Sequence, residues 1–139
     1  MNFANTIRST APLRVAFGGG GTDIFNYSSL YGGYVLNSTI SLKVEVTINI
    51  NSEGINSYFS MDTEQKISYQ LSSEDFSNDI CFLLRKVHLI VIQDYPELKK
   101  IPLHITSFSQ VPYGSGLGTS STICVALIQG LLHQIGVFL

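Results

Sequence analysis

The clearest pattern in the chain is the strict alternation of apolar and polar side chains from Ile40 to Ile50. Six aliphatic residues there are separated by Ser, Lys, Glu, Thr and Asn, which predicts a long β-strand with one face in a core and the other in water. The Asn-Ser-Glu-Gly cluster at 51–54 predicts a turn. Shorter alternations predict further strands at Leu13–Phe17, Ile67–Leu71 and Ile101–Ile105.

Beyond Asp79 the apolar period changes to that of a helix. Asp79 is a suitable N-cap, and Pro96 indicates that the helix has ended. The predicted apolar stripe consists of Ile80, Leu83, Leu84, Val87 and Val91, and the side chains predicted to lie off it are Arg85, Lys86 and His88.

A second helix is predicted after Ser120, where the chain is apolar on nearly every side, as in a helix buried in the middle of a domain. Strands, helix, strand, glycine-rich loop and helix follow one another without a repeat or a linker. This order predicts an α+β fold.

The composition excludes some functions. The chain has 139 residues, the size of one domain or part of a larger one. Eight Lys and Arg against ten Asp and Glu give a net charge of -2, so no basic surface exists for a nucleic acid. Only 13% of residues are charged, and none follows Lys100, so we expect the last third of the chain to be covered.

Neither the cysteines nor the histidines predict a site. Cys81 and Cys124 have no metal-ligand spacing and are interpreted as core thiols. The histidines at 88, 104 and 133 belong to no motif and are interpreted as structural. The N-terminus lacks a secretory signal, and Gln, His and Gly interrupt the apolar run 123–139, so we expect a cytoplasmic protein without a membrane span.

A glycine-rich segment, Pro112–Ser121, lies between a predicted strand and a predicted helix. Its glycines allow positive φ and close approach to a ligand, and its amides and the helix N-terminus favour a phosphate. The alternative is a glycine turn with an ordinary Ser/Thr helix cap. The segment has no Lys, which excludes a Walker A loop, and neither glycine cluster has the G-x-G-x-x-G spacing.

The same segment resembles the second motif of the GHMP kinases, P-x-x-x-G-L-G-[ST]-S-[AS], which wraps the phosphates of ATP. The resemblance implies that Ser120 reaches a bound Mg²⁺. The phosphate-binding residues that it implies are Pro112, Gly114, Ser115, Gly116, Leu117, Gly118, Thr119, Ser120 and Ser121.

The segment Ala11–Asp23 is similar to the first motif of the sugar-kinase branch, A-P-G-R-V-x-x-x-G-E-H-T-D. The resemblance implies that Arg14 is catalytic and neighbours the transferring phosphoryl group, and that Asp23 binds sugar hydroxyls. The alternatives are a strand-edge arginine paired with a surface acid and an Asx-turn. The implied substrate-binding residues are Gly18, Gly19, Gly20, Gly21, Thr22 and Asp23.

Gly20 and Gly21 replace the glutamate and histidine of the galactokinase pattern, which favours a bulkier or phosphorylated sugar. With the later Tyr-Gly-Gly-Tyr-Val-Leu at 31–36, the chain most resembles the D-glycero-D-manno-heptose 7-phosphate kinases of surface polysaccharide biosynthesis. The resemblance implies a ribosomal protein S5 domain 2-like fold, a GHMP kinase N-terminal, ATP-binding domain over 1–139, and phosphoryl transfer from ATP with Mg²⁺ to a heptose phosphate.

Members of that family are more than twice as long, with a catalytic aspartate and a third glycine motif beyond the second motif. No carboxylate follows Leu117 here. We therefore expect a truncated domain that is inactive alone, with the missing C-terminal half as a candidate partner chain. The alternatives are a non-catalytic nucleotide- or sugar-binding fragment, a degenerate remnant, and another GHMP kinase of the fucose, galactose or mevalonate type.

Overall fold

The computed structural model describes residues 4–62, 65–69 and 81–138. Within those ranges five strands form one sheet and three α-helices accompany it. The strands are β1 (Thr6–Gly18), β2 (Leu36–Ile50), β3 (Asn56–Ser60), β4 (Gln65–Tyr69) and β5 (Leu103–Ser109). The helices are α1 (Phe25–Tyr31), α2 (Phe82–Asp94) and α3 (Thr119–Gln134), with a 3₁₀ turn at Pro96–Lys100.

The sheet is mixed, with the strand order β1-β2-β5-β3-β4. Every neighbouring pair is antiparallel except β3 and β5, which run parallel. Helix α3 packs on β1, β2 and α2. The predicted α+β class is confirmed.

Strand β2 confirms the longest predicted strand, but only its C-terminal half lies in the core. Val44, Val46 and Ile48 are fully buried, whereas Leu42 is 40% exposed. The reason is topological, because β5 pairs with β2 only from Val44 to Ile50. The earlier half of β2 pairs with β1 alone and forms a two-stranded ribbon that extends beyond the sheet.

Strand β3 was not predicted, because polar side chains occupy buried positions in it. Asn56 and Ser57 are buried there. The side-chain Oδ1 of Asn56 accepts a hydrogen bond from the backbone amide of Leu103 at 2.9 Å, and the Ser57 hydroxyl lies 2.6 Å from Nδ1 of His104. Each polar group therefore has a partner that only the tertiary fold provides.

Helix α2 corrects the predicted apolar stripe. Leu84, Val87 and Val91 are buried as predicted, but Arg85 and His88, predicted to lie off the stripe, are also buried, at 2% and 0% exposure. His88 Nδ1 lies 2.9 Å from the Tyr58 hydroxyl, so a hydrogen bond replaces the solvent contact. Burial lowers the pKa of His88 to about 4. The predicted residues Leu71, Asp79 and Ile80 lie outside the described ranges.

Helix α3 begins at Thr119, close to the predicted start after Ser120, ends at Gln134, and is not buried all round in the described chain. Ala126, Leu127 and Leu131 are fully buried, whereas Val125 is 58% exposed. A Cβ atom at Gly130 would lie 2.9 Å from the Ile48 side chain, so α3 packs closely on the sheet. The thiol prediction is confirmed for Cys81, which is buried, and only partly for the half-buried Cys124. No helix in the described ranges is long and apolar enough to span a membrane.

Candidate phosphate-binding site

The glycine-rich loop that joins β5 to α3 is fixed at its start by strand β2. The amide of Lys43 donates to the Gln110 side chain at 2.7 Å, and the Gln110 amide donates to the Lys43 carbonyl at 3.1 Å. Buried Val111 then anchors the loop in the core. The following residues from Pro112 to Gly116 are exposed.

Three alternate glycines give this loop its shape. Gly114, Gly116 and Gly118 have φ values of 81°, 73° and 73°. These values favour glycine, because a Cβ atom would strain the backbone. No atom lies within 4 Å of the Cβ position at Gly114 or Gly116, so their surroundings are open. The conformation leaves space for a ligand to approach the backbone.

The start of α3 is not an ordinary capped helix. The N-cap is Gly118, which has no side chain to accept from the first-turn amides. The hydroxyls of Ser121 and Thr122 instead donate to the Gly118 carbonyl at 2.8 and 2.9 Å. The alternative of a Ser/Thr cap is therefore not observed. The first-turn amides remain available as anion donors next to the positive end of the helix.

The loop and the start of α3 enclose a cavity of about 440 Å³, a volume in the range of small-molecule sites. Its lining contains all the predicted phosphate-binding residues except Pro112 and Leu117, together with Tyr113. Within the described chain the exposed Ser120 side chain makes no hydrogen bond. Its hydroxyl is therefore free to meet a ligand oxygen or a metal ion.

Arg14 joins the first motif to this loop. Its amide donates to the Leu117 carbonyl at 3.2 Å. Its side chain packs beside Gly118, where a Cβ atom would lie 3.2 Å from the Arg14 Nε. No carboxylate in the described part of the chain forms an ion pair with Arg14, so the alternative of a surface salt bridge is not observed. A positive charge therefore lies beside the predicted phosphate loop.

The first glycine loop, by contrast, is bound to its own chain. The Thr22 hydroxyl lies 2.7 Å from the Gly19 carbonyl and 3.1 Å from the Tyr34 carbonyl, and it accepts from the Tyr34 amide at 3.1 Å. A Cβ atom at Gly19 would overlap the Tyr34 carbonyl, and one at Gly33 would overlap the Thr22 carbonyl. Glycine is needed at both positions for close backbone contact.

Asp23 lies at the end of this loop and is exposed. Its carboxylate accepts no hydrogen bond from the described residues, so the alternative of an Asx-turn is not observed. Strand β1 continues from Arg14 to Gly18, a distance of roughly 13 Å at the usual strand rise. The structure thus brings Arg14 to the phosphate loop, while no hydrogen bond joins Gly18–Asp23 to that loop in the described ranges.

A second cleft adjoins the phosphate cavity and was not predicted. Its volume is about 100 Å³, and Tyr113, Thr119 and Ser120 line both cavities. The remaining lining residues are Ser60, Asp62, Cys81, Leu83, Leu84, Ser107 and Ile123. A signal was present in β5, whose core-facing positions change from Leu103 and Ile105 to serine at 107 and 109. Serine on a buried face indicates a polar boundary.

The comparisons with known proteins agree with this geometry. The family profile described as the GHMP kinases N terminal domain matches residues 83–138. The chain is 38% identical over 125 residues to the D-glycero-alpha-D-manno-heptose 7-phosphate kinase of Campylobacter jejuni, a match that covers 89% of this chain and 36% of that protein. It is 35% identical over 130 residues to a bifunctional fucokinase/GDP-fucose pyrophosphorylase of Arabidopsis thaliana, covering 88% of this chain and 12% of that protein.

The fold is similar to the crystal structure of a D-glycero-D-manno-heptose 1-phosphate kinase from Bacteriodes thetaiotaomicron, with a TM-score of 0.81 and 35% identity. This match covers 94% of the chain and 42% of that structure, so the chain spans less than half the length of the relatives described. The sequence profile, the two glycine motifs and the sheet agree with one another. Residues 83–138 therefore match the N-terminal domain of the GHMP kinases, and the chain as a whole is similar in sequence and fold to the N-terminal part of heptose phosphate kinases.

Proposed function

We propose that this chain supplies the ATP-binding and acceptor-binding part of a kinase that phosphorylates a heptose phosphate, with D-glycero-D-manno-heptose 7-phosphate as the acceptor. The observation that carries the proposal is the contact of Arg14 with Leu117 and Gly118. This contact joins the strand of the first motif to the loop of the second. Phosphoryl transfer requires such proximity, because the bound ATP and the bound acceptor must meet.

The phosphates of ATP would lie in the 440 Å³ cavity, held by amides of the loop and of the first turn of α3. One residue of the cavity is suited to bind Mg²⁺. The exposed Ser120 hydroxyl can provide one oxygen ligand to an ion that keeps most of its waters. Magnesium would neutralise phosphate charge. The adjoining cleft has the apolar walls that suit a nucleobase.

Arg14 would stabilise the negative charge on the transferring phosphoryl group, since its planar guanidinium can contact two oxygens at once. Asp23 would accept hydrogen bonds from acceptor hydroxyls. The space around Gly20 and Gly21 supports a large acceptor, because no atom lies within 4 Å of either Cβ position. The names of the Campylobacter and Bacteriodes proteins support a heptose phosphate.

We propose that residues 1–139 alone bind nucleotide without turnover. No carboxylate follows Leu117 to act as a general base, and such a base contributes about 10² to 10⁴ in rate. The chain spans 36% of the Campylobacter kinase, whose remaining length can supply one. Turnover near 1 s⁻¹ in a coupled ADP-release assay with heptose 7-phosphate would contradict this proposal, since kinases reach about 1 to 100 s⁻¹.

Calorimetry with MgATP tests the proposed function directly. Saturable binding at one site is expected, and it should disappear in Gly116→Val, whose fold should persist. A protein that binds MgATP but gives no turnover even when joined to the remaining length of a relative would be a nucleotide-binding module. Absence of any binding to the folded protein would contradict both functions.

A further inference from the structure

The cleft beside the phosphate cavity contains a buried hydroxyl that has no partner in the described chain. Ser107 is 1% exposed, and its Oγ makes no hydrogen bond there. The next core-facing residue, Ser109, differs, because its hydroxyl accepts from the Val111 amide at 3.2 Å. An unpaired buried hydroxyl is destabilising, and most buried polar groups have a partner. Its position in the cleft lining points to a partner supplied by a ligand.

A carboxylate lies at the same end of the cleft. The Met61 amide donates to the Ser107 carbonyl at 2.9 Å, which continues the pairing of β3 with β5 and places Asp62 next to β5. Asp62 Oδ1 accepts from the Ser109 amide at 3.0 Å. Its second oxygen makes no hydrogen bond with a described residue. This end of the cleft therefore offers two oxygen acceptors, while Cys81, Leu83 and Ile123 give its walls an apolar character.

We propose that Ser107 and Asp62 recognise the exocyclic amino group of the nucleobase and so select ATP. This inference rests on the nucleotide binding proposed above. An amino group has two hydrogens to donate, which matches the Ser107 hydroxyl and the free oxygen of Asp62. A base with a carbonyl at that position can accept from the Ser107 hydroxyl, but it presents an acceptor to the Asp62 carboxylate, which is left unpaired next to a second oxygen. Sites that hydrogen-bond a substrate group strongly reject analogues that lack it.

The test compares three nucleotides that differ at one position: ATP, purine riboside 5′-triphosphate, which lacks the 6-amino group, and inosine 5′-triphosphate, which has a carbonyl there. Calorimetry on the full chain should show a Kd for the purine riboside nucleotide roughly tenfold higher than for ATP, and a still higher Kd for the inosine nucleotide. This comparison needs no variant, so it does not depend on how a mutant folds.

Two variants assign the selectivity to residues. Ser107→Ala should weaken ATP binding severalfold and leave the affinity for the purine riboside nucleotide unchanged. Asp62→Asn can keep the bond from Ser109 and offer an amide donor, so it should bind the inosine nucleotide better than the original protein does. Ser9→Ala is the matched control, because Ser9 is another buried serine on the sheet but bonds Gln129 and does not line the cleft. It should preserve all three affinities.

The outcomes separate the two proposals. Equal affinities for ATP and the purine riboside nucleotide, with binding still abolished by Gly116→Val, would overturn the assignment of Ser107 and Asp62 alone. If Ser107→Ala left the ratio of the Kd for the purine riboside nucleotide to the Kd for ATP unchanged, the assignment of Ser107 would be overturned. Failure of all three nucleotides to bind the folded chain would overturn the proposed function and this inference together.

Discussion

The two glycine loops have similar sequences and opposite structural roles. At the loop Gly18–Asp23, glycine allows close backbone contact, since a side chain at Gly19 would overlap the Tyr34 carbonyl and one at Gly33, which faces the loop, would overlap the Thr22 carbonyl. In the loop at Gly114–Gly118, two of the three glycines have no atom near the Cβ position, and all three have positive φ. The first loop is held against its own backbone at Gly19 and Thr22 and is open around Gly20 and Gly21, whereas the second loop has no such hydrogen bond to a facing strand of the described chain at Gly114 or Gly116.

This difference shows that a glycine cluster does not by itself predict a phosphate site. Thr22 uses its hydroxyl to hold the first loop against Tyr34, whereas Ser120 makes no hydrogen bond within the described ranges. The hydrogen bonds around each loop separate a structural turn from a ligand cavity. Substitutions of equal size should therefore affect folding in one loop and binding in the other.

The largest expected effect is on nucleotide binding in the second loop. Gly116→Val puts a β-branched residue at φ 73°, which such residues rarely adopt, so the loop must change shape. We expect MgATP affinity to fall at least a hundredfold in calorimetry, with little change in the thermal unfolding of the domain. Gly20→Val is the control, because Gly20 lacks positive φ and has open surroundings. Retained affinity in Gly116→Val would remove the basis for the loop assignment.

The second effect is on the first loop. Gly19→Ala combines positive φ with overlap of the Tyr34 carbonyl, which a backbone can relieve only by moving. We expect a loss of about 2–3 kcal/mol in the free energy of unfolding, or local release of the loop, seen as faster hydrogen exchange of the Tyr34 amide. Gly20→Ala should change neither quantity. Equal effects from the two substitutions would mean that the loop is not held against Tyr34.

Acid should lower the free energy of unfolding of the whole domain. The two loops should therefore be compared at neutral pH. Burial lowers the pKa of His88 to about 4, against about 6.5 unfolded, so the unfolded chain binds the extra proton between these values. Stability that is present above pH 6.5 is lost as the pH falls towards 4, by about 3 kcal/mol at most. Denaturant unfolding from pH 7 to pH 4 should show this slope, and His88→Gln should lack it. An identical slope in both proteins would contradict the burial of a neutral His88.

In a protein that includes the remaining length of the relatives, Arg14 and Asp23 should separate kinetically. Arg14→Lys should lower kcat by roughly tenfold or more, because an ammonium cannot reproduce the planar fork beside Gly118. Asp23→Asn should raise KM for the sugar and preserve KM for ATP. Steady-state kinetics with both substrates varied measures each quantity. Identical effects of the two substitutions would show that the proposed roles are misplaced.

The smallest expected effect concerns the metal. Ser120→Ala should weaken the dependence of nucleotide binding on Mg²⁺ severalfold and change the affinity for metal-free ATP little, because one hydroxyl is one of about six ligands. Calorimetry with and without Mg²⁺ gives both values, and Ser9→Ala, which lies outside both cavities, is the control. An equal loss of ATP affinity with and without Mg²⁺ would indicate that Ser120 contacts a phosphate and not the metal.

The sequence predicted those parts of the fold in which apolar side chains alone decide. The alternation in β2 and the stripe of α2 located both elements, because Val44, Val46, Leu84 and Val87 are buried in them. Strand β3 was missed because Asn56 and Ser57 depend on hydrogen bonds to β5. Arg85 and His88 were misplaced for a similar reason, since the bond from His88 to Tyr58 arises only in the fold.

The sequence predicted only part of the candidate site, for the same physical reason. The loop at Pro112–Ser121 has a local signal, and eight of its ten positions line one cavity or two. The contact of Arg14 with Gly118 joins residues more than 100 positions apart, and no local pattern specifies it. The adjoining cleft depends on Asp62 and Ser107, which approach one another only through the parallel pairing of β3 with β5.

The most direct test of the difference between the two loops is a heteronuclear NMR titration of the 139-residue chain with MgATP. The amide signals of Gly114 to Ser121 should shift in a saturable manner, because the proposed function places the phosphates of ATP against these amides. The amide signals of Gly19, Thr22 and Tyr34 should keep their positions, because hydrogen bonds within the chain already hold that loop. Saturable shifts confined to the first loop, or none in either loop of the folded protein, would contradict the account.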